Sequence, residues 1–154
     1  MTSTLHPTLH FEALTAIDNA TFLQKNEIAD FLFVHLEQYG DKKEDIMKCL
    51  DYALDNTRHQ GGFVMMARQN AELVGAVVIN HTGMSGYIPE NILVYIAVHG
   101  KTRGMGIGKQ LMEKAIEMAN GNIALHVEPD NPARKLYEKL GFTNKYLEMR
   151  LNKS

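Results

Sequence analysis

The chain has 154 residues, 45% hydrophobic and 22% charged, with a formal net charge of −2 and one cysteine. That composition fits an ordinary globular domain with a real core, and it excludes a disordered or fibrous chain and a general nucleic-acid binder. No apolar run approaches the ~18 residues that span a bilayer, Met1 to His10 lacks the basic start and apolar core of a signal peptide, and the single Cys49 leaves no internal disulfide, so the cytoplasm is the expected compartment.

Residues 9–14 alternate as a short first strand. Ile28, Phe31, Leu32 and Leu36 then recur at helical spacing between about Asn26 and Gln38, and Gly40 stands where a C-cap belongs. Asp41 with Glu44 three residues on reads as a capping box for a second helix, whose apolar face is Ile46, Met47, Leu50, Ala53 and Leu54. Cys49 lies beside that face with no base to activate it, so it reads as a packed thiol. After Gly61-Gly62, residues 63–67 and 73–79 form two strands around the polar turn Gln69 to Glu72, a hairpin. A loop with Gly83, Gly86 and Pro89 leads to a strand at 91–98. Ile107 to Ala119 carries a clear apolar helix stripe, 123–127 is a strand, Pro132 to Leu140 is a helix before Gly141, and 146–151 is a closing strand. This order predicts an α/β or α+β sheet with helices on its faces, in which the strands at 91–98 and 123–127 are parallel neighbours. Ligands in such sheets bind at the carboxyl ends of the strands. The glycines at 100, 104, 106 and 108 lie there.

That loop carries the chemistry. At the start of a helix, unpaired amides and the positive end of the dipole face outward, which suits phosphate, and Arg103 and Lys109 add cations. A magnesium-nucleotide loop requires glycine five residues before Gly108-Lys109 and Ser or Thr after it; the chain has Arg103 and Gln110. A dinucleotide loop starting at Gly104 would need its third glycine where Lys109 stands, and no acidic residue ends a strand ~20 residues later. A glycine-rich turn without a ligand stays open on these residues alone. So does the meaning of the charge distribution. Residues 1–60 carry ten acids and five bases and residues 61–154 eight acids and eleven bases. That asymmetry suits a cationic ligand beside an anionic one, or reflects solvated helix faces.

The run Arg103-Gly-Met-Gly106-Ile-Gly108 resembles the Arg/Gln-x-x-Gly-x-Gly/Ala signature of the GNAT superfamily of acetyl-CoA-dependent N-acetyltransferases. Leu125 to Phe142, with Asn131 and Leu-Tyr137-Glu-Lys-Leu-Gly-Phe142, resembles the family's second block, in the family's order and spacing. The resemblance covers about residues 60–151. It implies a mixed, mostly antiparallel sheet with a splayed parallel central pair and helices on both faces, as one N-acetyltransferase domain over 1–154.

By that resemblance, acetyl-CoA is the co-substrate, no metal is used, and the second substrate is a primary amine of a small molecule or peptide. The backbone of Ile96, Ala97 and Val98 would hold the pantetheine as an added strand does. The amides of Arg103, Gly104, Met105, Gly106, Ile107, Gly108 and Lys109 would take the pyrophosphate. Tyr137 would protonate the leaving thiolate, or merely pack on the cofactor. The family's usual base position is Ile92 here. Glu90 lies two residues earlier on the same strand face and would serve as base, directly or through water, unless it is only a solvated loop residue. Asn131 would contact the pantetheine or cap the helix at Pro132. His126 would help bind substrate if it faces the cleft. The seven histidines show no metal-ligand spacing. The alternative function is a non-catalytic acyl-CoA-binding module; an interaction protein without cofactor would be a third. The acceptor amine and the oligomeric state are open, a homodimer among the options.

Overall fold

A computed structural model describes residues 8–54 and 61–153. The expectation drawn from Met1 to His10 therefore lies mostly outside them. The element order is β1 (Leu9–Leu14), α1 (Phe22–His35), α2 (Lys43–Ala53), β2 (Gly62–Gln69), β3 (Glu72–His81), β4 (Asn91–Val98), α3 (Ile107–Met118), β5 (Ile123–Leu125) and α4 (Ala133–Lys139).

The five strands form one sheet in the order β1-β2-β3-β4-β5. The first four pair antiparallel, and β4 and β5 pair parallel. Leu73 to Ile79 of β3 is buried throughout, as befits a central strand covered on both faces. On one face, Ile28, Leu32, Ile46 and Leu50 of α1 and α2 pack on Val64, Met66, Ala76 and Val78. On the other, Ile107, Leu111, Met112 and Ala115 of α3 pack on Met65, Ala67, Val77 and Ile79, joined by Tyr137 of α4. The hairpin between β2 and β3 turns on Asn70 and Ala71, both at positive φ (51° and 67°). Two consecutive residues in that region match the twist of a tight hairpin.

Two features of β4 shape the site. The β3–β4 register slips between Val78 and Ile79, with Val78 opposite Tyr95 and Ile79 opposite Leu93. Val94 is therefore the extra residue of a bulge, which bends the strand and shifts which side chains face which layer. The parallel pairing with β5 covers only Asn91 to Leu93 against Ile123 to Leu125. β5 ends there, so residues 94–98 of β4 have no strand on that side among the described residues, which leaves a wedge. This is the splayed pair that the resemblance implied.

Several local expectations change. The first helix starts at Phe22, because Thr21 and Gln24 form the capping box and exchange bonds of 3.1 and 2.8 Å. It does not end on Gly40, whose φ is −96°; Glu37 takes the left-handed conformation instead (φ 55°). Asp41 does not cap α2, which begins after Lys42 without a side-chain cap. Its carboxylate accepts the Tyr95 hydroxyl at 2.5 Å. Strand β5 stops at Leu125, two residues short of the expected end. Residues 146–151 form no strand and are exposed.

Candidate functional site

The wedge exposes backbone in a predictable order. In an antiparallel ladder the N–H and C=O of alternate residues point to the same neighbour. The His99 amide donates to the Val74 carbonyl at 2.8 Å, so the backbone groups of Ala97 also face β3, where Ala97 lies opposite Ala76. Those of Ile96 and Val98 face the wedge. Of the 96–98 segment expected to hold the pantetheine, two residues turn their backbone groups to the wedge. Ala97 is the correction, since its groups belong to the sheet.

After β4, a turn at Gly100–Thr102 is held by buried Thr102, whose hydroxyl donates to the His99 carbonyl at 3.0 Å. The chain then passes Gly104 (φ 85°) and Gly106 (φ 77°) into α3. Gly106 occupies the N-cap with no side-chain cap. Positive φ favours glycine here, and a Cβ built on either residue meets nothing within 4 Å, so both borders are open. Among the described residues the amides from Gly104 to Lys109 donate to no carbonyl or side chain; the first bond of α3 is from Gln110 to Gly106 at 3.1 Å. Six consecutive unpaired donors at a helix start form an anion cradle. Lys109 is exposed and has no ion-pair partner among the described residues.

Arg103 is placed differently from the expectation of a free cation. Its guanidinium donates to Glu37 Oε1 at 2.7 Å and to the His35 carbonyl at 3.1 Å. Its amide makes only a marginal 3.5 Å bond to Gly100. The side chain thus ties the loop to the end of α1. There, the His35 and His99 rings lie 4.2 Å apart. Burial lowers the His35 pKa, and neighbouring His99 and Arg103 lower it further.

Helix α4 closes the other side of the corner. A Cβ built on Gly108 would lie 3.5 Å from Val98 and 3.6 Å from Leu136, so the end of β4, the start of α3 and α4 converge at one point. Tyr137 is buried, with its ring 6.0 Å from that of Phe142. Burial pushes its pKa up to about 12, so at neutral pH it is a phenol with a proton to donate. Asn131 stands just before Pro132, the N-cap of α4, and its Oδ1 accepts the Ala133 amide at 2.9 Å. His126 is exposed, with Nδ1 3.9 Å from Glu148 Oε1.

Glu90 is not brought to this corner. It precedes β4, roughly 25 Å of strand from Val98 at ~3.3 Å per residue. Its carboxylate accepts the Asn122 amide at 2.7 Å and the Gly86 amide at 3.1 Å. These bonds stabilise the anion and hold its pKa below the usual carboxylate value. A carboxylate so occupied ties the 82–90 loop to the entry of β5. Glu90 thus stands before β4, away from the loop that follows Val98.

One component escaped the sequence reading. Segment 37–41 lies across the wedge: Glu37 holds Arg103, the Tyr39 hydroxyl donates to the Asp130 carbonyl at 3.3 Å, and Asp41 accepts from Tyr95. It bridges the loop after β4 to the loop after β5, over separations of 54 to 91 residues. No local pattern signals such contacts. Burial and Asp41 both raise the Tyr95 pKa, so this hydroxyl also stays protonated. Among the described residues no group of three or more potential ligands could hold a metal, and no helix is long and apolar enough to cross a membrane.

Comparison with known proteins completes the picture. A family model described as "Acetyltransferase (GNAT) family" matches residues 21–142. A curated relative named 5-NmdU N-acetyltransferase, from Pseudomonas phage PaMx11, is 31% identical over 84 residues, covering 53% of this chain and 58% of the relative. The match thus spans little more than half the relative's length. Among solved structures, the aminoglycoside N-acetyltransferase AAC(6')-Iy in complex with CoA aligns with a TM-score of 0.70 over 99% of both chains at 14% identity. A ribosomal-protein-alanine N-acetyltransferase from Brucella melitensis biovar Abortus 2308 aligns at 0.61, covering 94% of this chain and 99% of that one at 22% identity. At these identities the structural matches speak to fold.

Proposed function

Because the chain belongs to the GNAT acetyltransferase family, we propose that residues 1–154 are one N-acetyltransferase domain that moves acetyl from acetyl-CoA directly to a primary amine. The observation that carries this reading is the convergence of the unpaired amides 104–109, the wedge-facing backbone of Ile96 and Val98, and α4, which carries the buried, protonated Tyr137, at one corner. The residues fit the cofactor. Positive φ favours glycine at Gly104 and Gly106 and leaves the cradle's border open, and the wedge accepts an extended arm as a sheet edge accepts a strand.

Acetyl-CoA supplies the activated acetyl group as a thioester. The cradle binds its phosphates, and Ile96 and Val98 align the pantetheine. The Val98 amide, aimed into the wedge, donates to the carbonyl oxygen as charge gathers there. As the amine nitrogen bonds to the carbonyl carbon and the carbon–sulfur bond breaks, Tyr137 gives its proton to the departing sulfur. The amine's own proton goes to water, which is consistent with Ile92 in the family's base position and with Glu90 held elsewhere. The acceptor meets the strap at 37–41. Its acidic side chains, with Glu44 exposed next to it, favour a cationic amine such as a small polyamine or amino sugar.

The deciding assay follows thiol release from acetyl-CoA with amino acids, polyamines, aminoglycosides, peptide N-termini and 5-NmdU. We expect at least one amine to accelerate release well above hydrolysis and to appear acetylated by mass. Saturable CoA binding with no acetylated product from any class would overturn catalysis in favour of a binding module. Absence of a CoA-dependent thermal shift would overturn the cofactor itself.

A further inference from the structure

Residues 103–106 hang between two fixed points. Before them, buried Thr102 bonds to the His99 carbonyl through its hydroxyl and its amide, at 3.0 and 2.9 Å. After them, Ile107 is buried in the core. Among the described residues, the amides in between make only the 3.5 Å bond of Arg103 to Gly100. Two of the four residues are glycines at positive φ, and glycine has more backbone freedom to lose than any other residue. Met105 is 57% exposed and anchors nothing. The side chain that fastens this span is Arg103, through Glu37 Oε1 at 2.7 Å and the His35 carbonyl at 3.1 Å. Its partner sits on an unfavourable backbone: Glu37 has φ 55°, a region that disfavours residues with a Cβ. The seam beneath is packed, with the His35 ring 4.6 Å from that of Phe31 and 4.2 Å from that of His99.

We infer that Glu37 is a positioning residue for the cofactor. By holding the Arg103 guanidinium it keeps residues 103–106 in the shape that presents the amides 104–109 to phosphate, so that a carboxylate strengthens the binding of a polyanion. The inference rests on the reading of those amides as the phosphate cradle. Charge alone gives the opposite sign. A carboxylate near the cradle repels phosphate, and if Arg103 were itself a phosphate ligand, Glu37 would compete with the cofactor for it. The pair is half exposed, 49% and 54%, so it adds little to global stability, and its effect falls on the loop it fastens. A loop ordered in advance has less entropy left to lose when the phosphate arrives.

Titration calorimetry of CoA, without an acceptor, at low and high salt tests the inference on Glu37→Ala, Glu37→Gln, Arg103→Ala and the double alanine variant. Glu37→Ala should weaken CoA binding about 3–10-fold, and the deficit should persist at high salt, where a charge effect would shrink. Glu37→Gln keeps an acceptor oxygen for Arg103 and should fall between that variant and the wild type. In the Arg103→Ala background, Glu37→Ala should cost nothing more. Melts of the CoA-free variants should fall by no more than about 5 °C, which separates loop order from loss of fold. CoA binding to Glu37→Ala as tight as, or tighter than, to the wild type would overturn the inference. A full further loss in the Arg103→Ala background would do so too, since Glu37 would then act by another route. A wild type with neither binding heat nor a CoA-dependent thermal shift would instead overturn the cradle reading itself.

Discussion

Gly106 offers the sharpest test of the phosphate cradle, because stability and binding separate there. Its φ of 77° costs any side-chain-bearing residue about 1–2 kcal/mol, and a Cβ there meets no atom within 4 Å. Gly106→Ala and Gly106→Glu should therefore lose similar stability, about 2–8 °C in Tm for a chain of this size. They differ in charge. A carboxylate ~4–5 Å from one phosphate charge is repelled by about 3–4 kcal/mol at an effective dielectric of ~20. Exposure and salt reduce that to about 1.5–2 kcal/mol, a factor of roughly 10–30 in Kd. Titration calorimetry of CoA against both variants, alongside thermal melts, reads the two effects apart. The alanine variant should bind CoA more weakly than the wild type, and the glutamate variant another 10–30-fold more weakly, with a deficit that shrinks as salt is raised. Equal CoA affinity for the two variants would refute the assignment of phosphate to these amides, whatever the melts show.

Other outcomes follow from the same geometry. Tyr137→Phe should slow turnover ~10²-fold or more with little change in KM for acetyl-CoA; an unchanged kcat would reduce the residue to packing. Because Tyr137 is held protonated up to about 12, kcat should show no basic decline up to pH 10 in a pH–rate profile, whereas a phenol with the ordinary value would begin to lose activity there. Glu27 takes two hydrogen bonds from Arg68, at 3.0 and 2.9 Å, and these lower its pKa. The stability it contributes is present above the unfolded-state value and is lost as pH falls through the lower folded value. Glu27→Gln should thus lower stability at pH 7 by about 0.5–1 kcal/mol, since the pair is half exposed, and by almost nothing near pH 2 in urea melts. Cys49 is buried and its thiol is pushed up to about 12. A water-soluble aromatic disulfide should label it at pH 8 only after denaturant is added; rapid native labelling would contradict its packing.

Much of this molecule was legible from one dimension because the signals are local. The stripe from Ile107 to Ala119, the apolar run in β3 and the glycines at 104 and 106 each state their own conformation: period 3.6, two-sided burial, and backbone that favours residues without a Cβ. The spacing of the loop and of the Tyr137 block was enough to set the magnesium and dinucleotide loops aside and to point to the family that residues 21–142 match. Boundaries were less legible. Thr21 and Gln24 compete with no stronger signal and moved a helix start by four residues, while Asp41 looked like a cap until Tyr95 was seen to take its carboxylate.

Only the tertiary structure decided which groups meet. Whether Ala97 or its neighbours face the wedge depends on strand register, which His99 and Val74 set across the sheet. Glu90 precedes the strand that carries the site residues and is bound to two amides that no spacing rule would have named. The strap at 37–41 is likewise a matter of long-range pairing. A residue's period tells which way it points, and the backbone fold tells what is there to receive it.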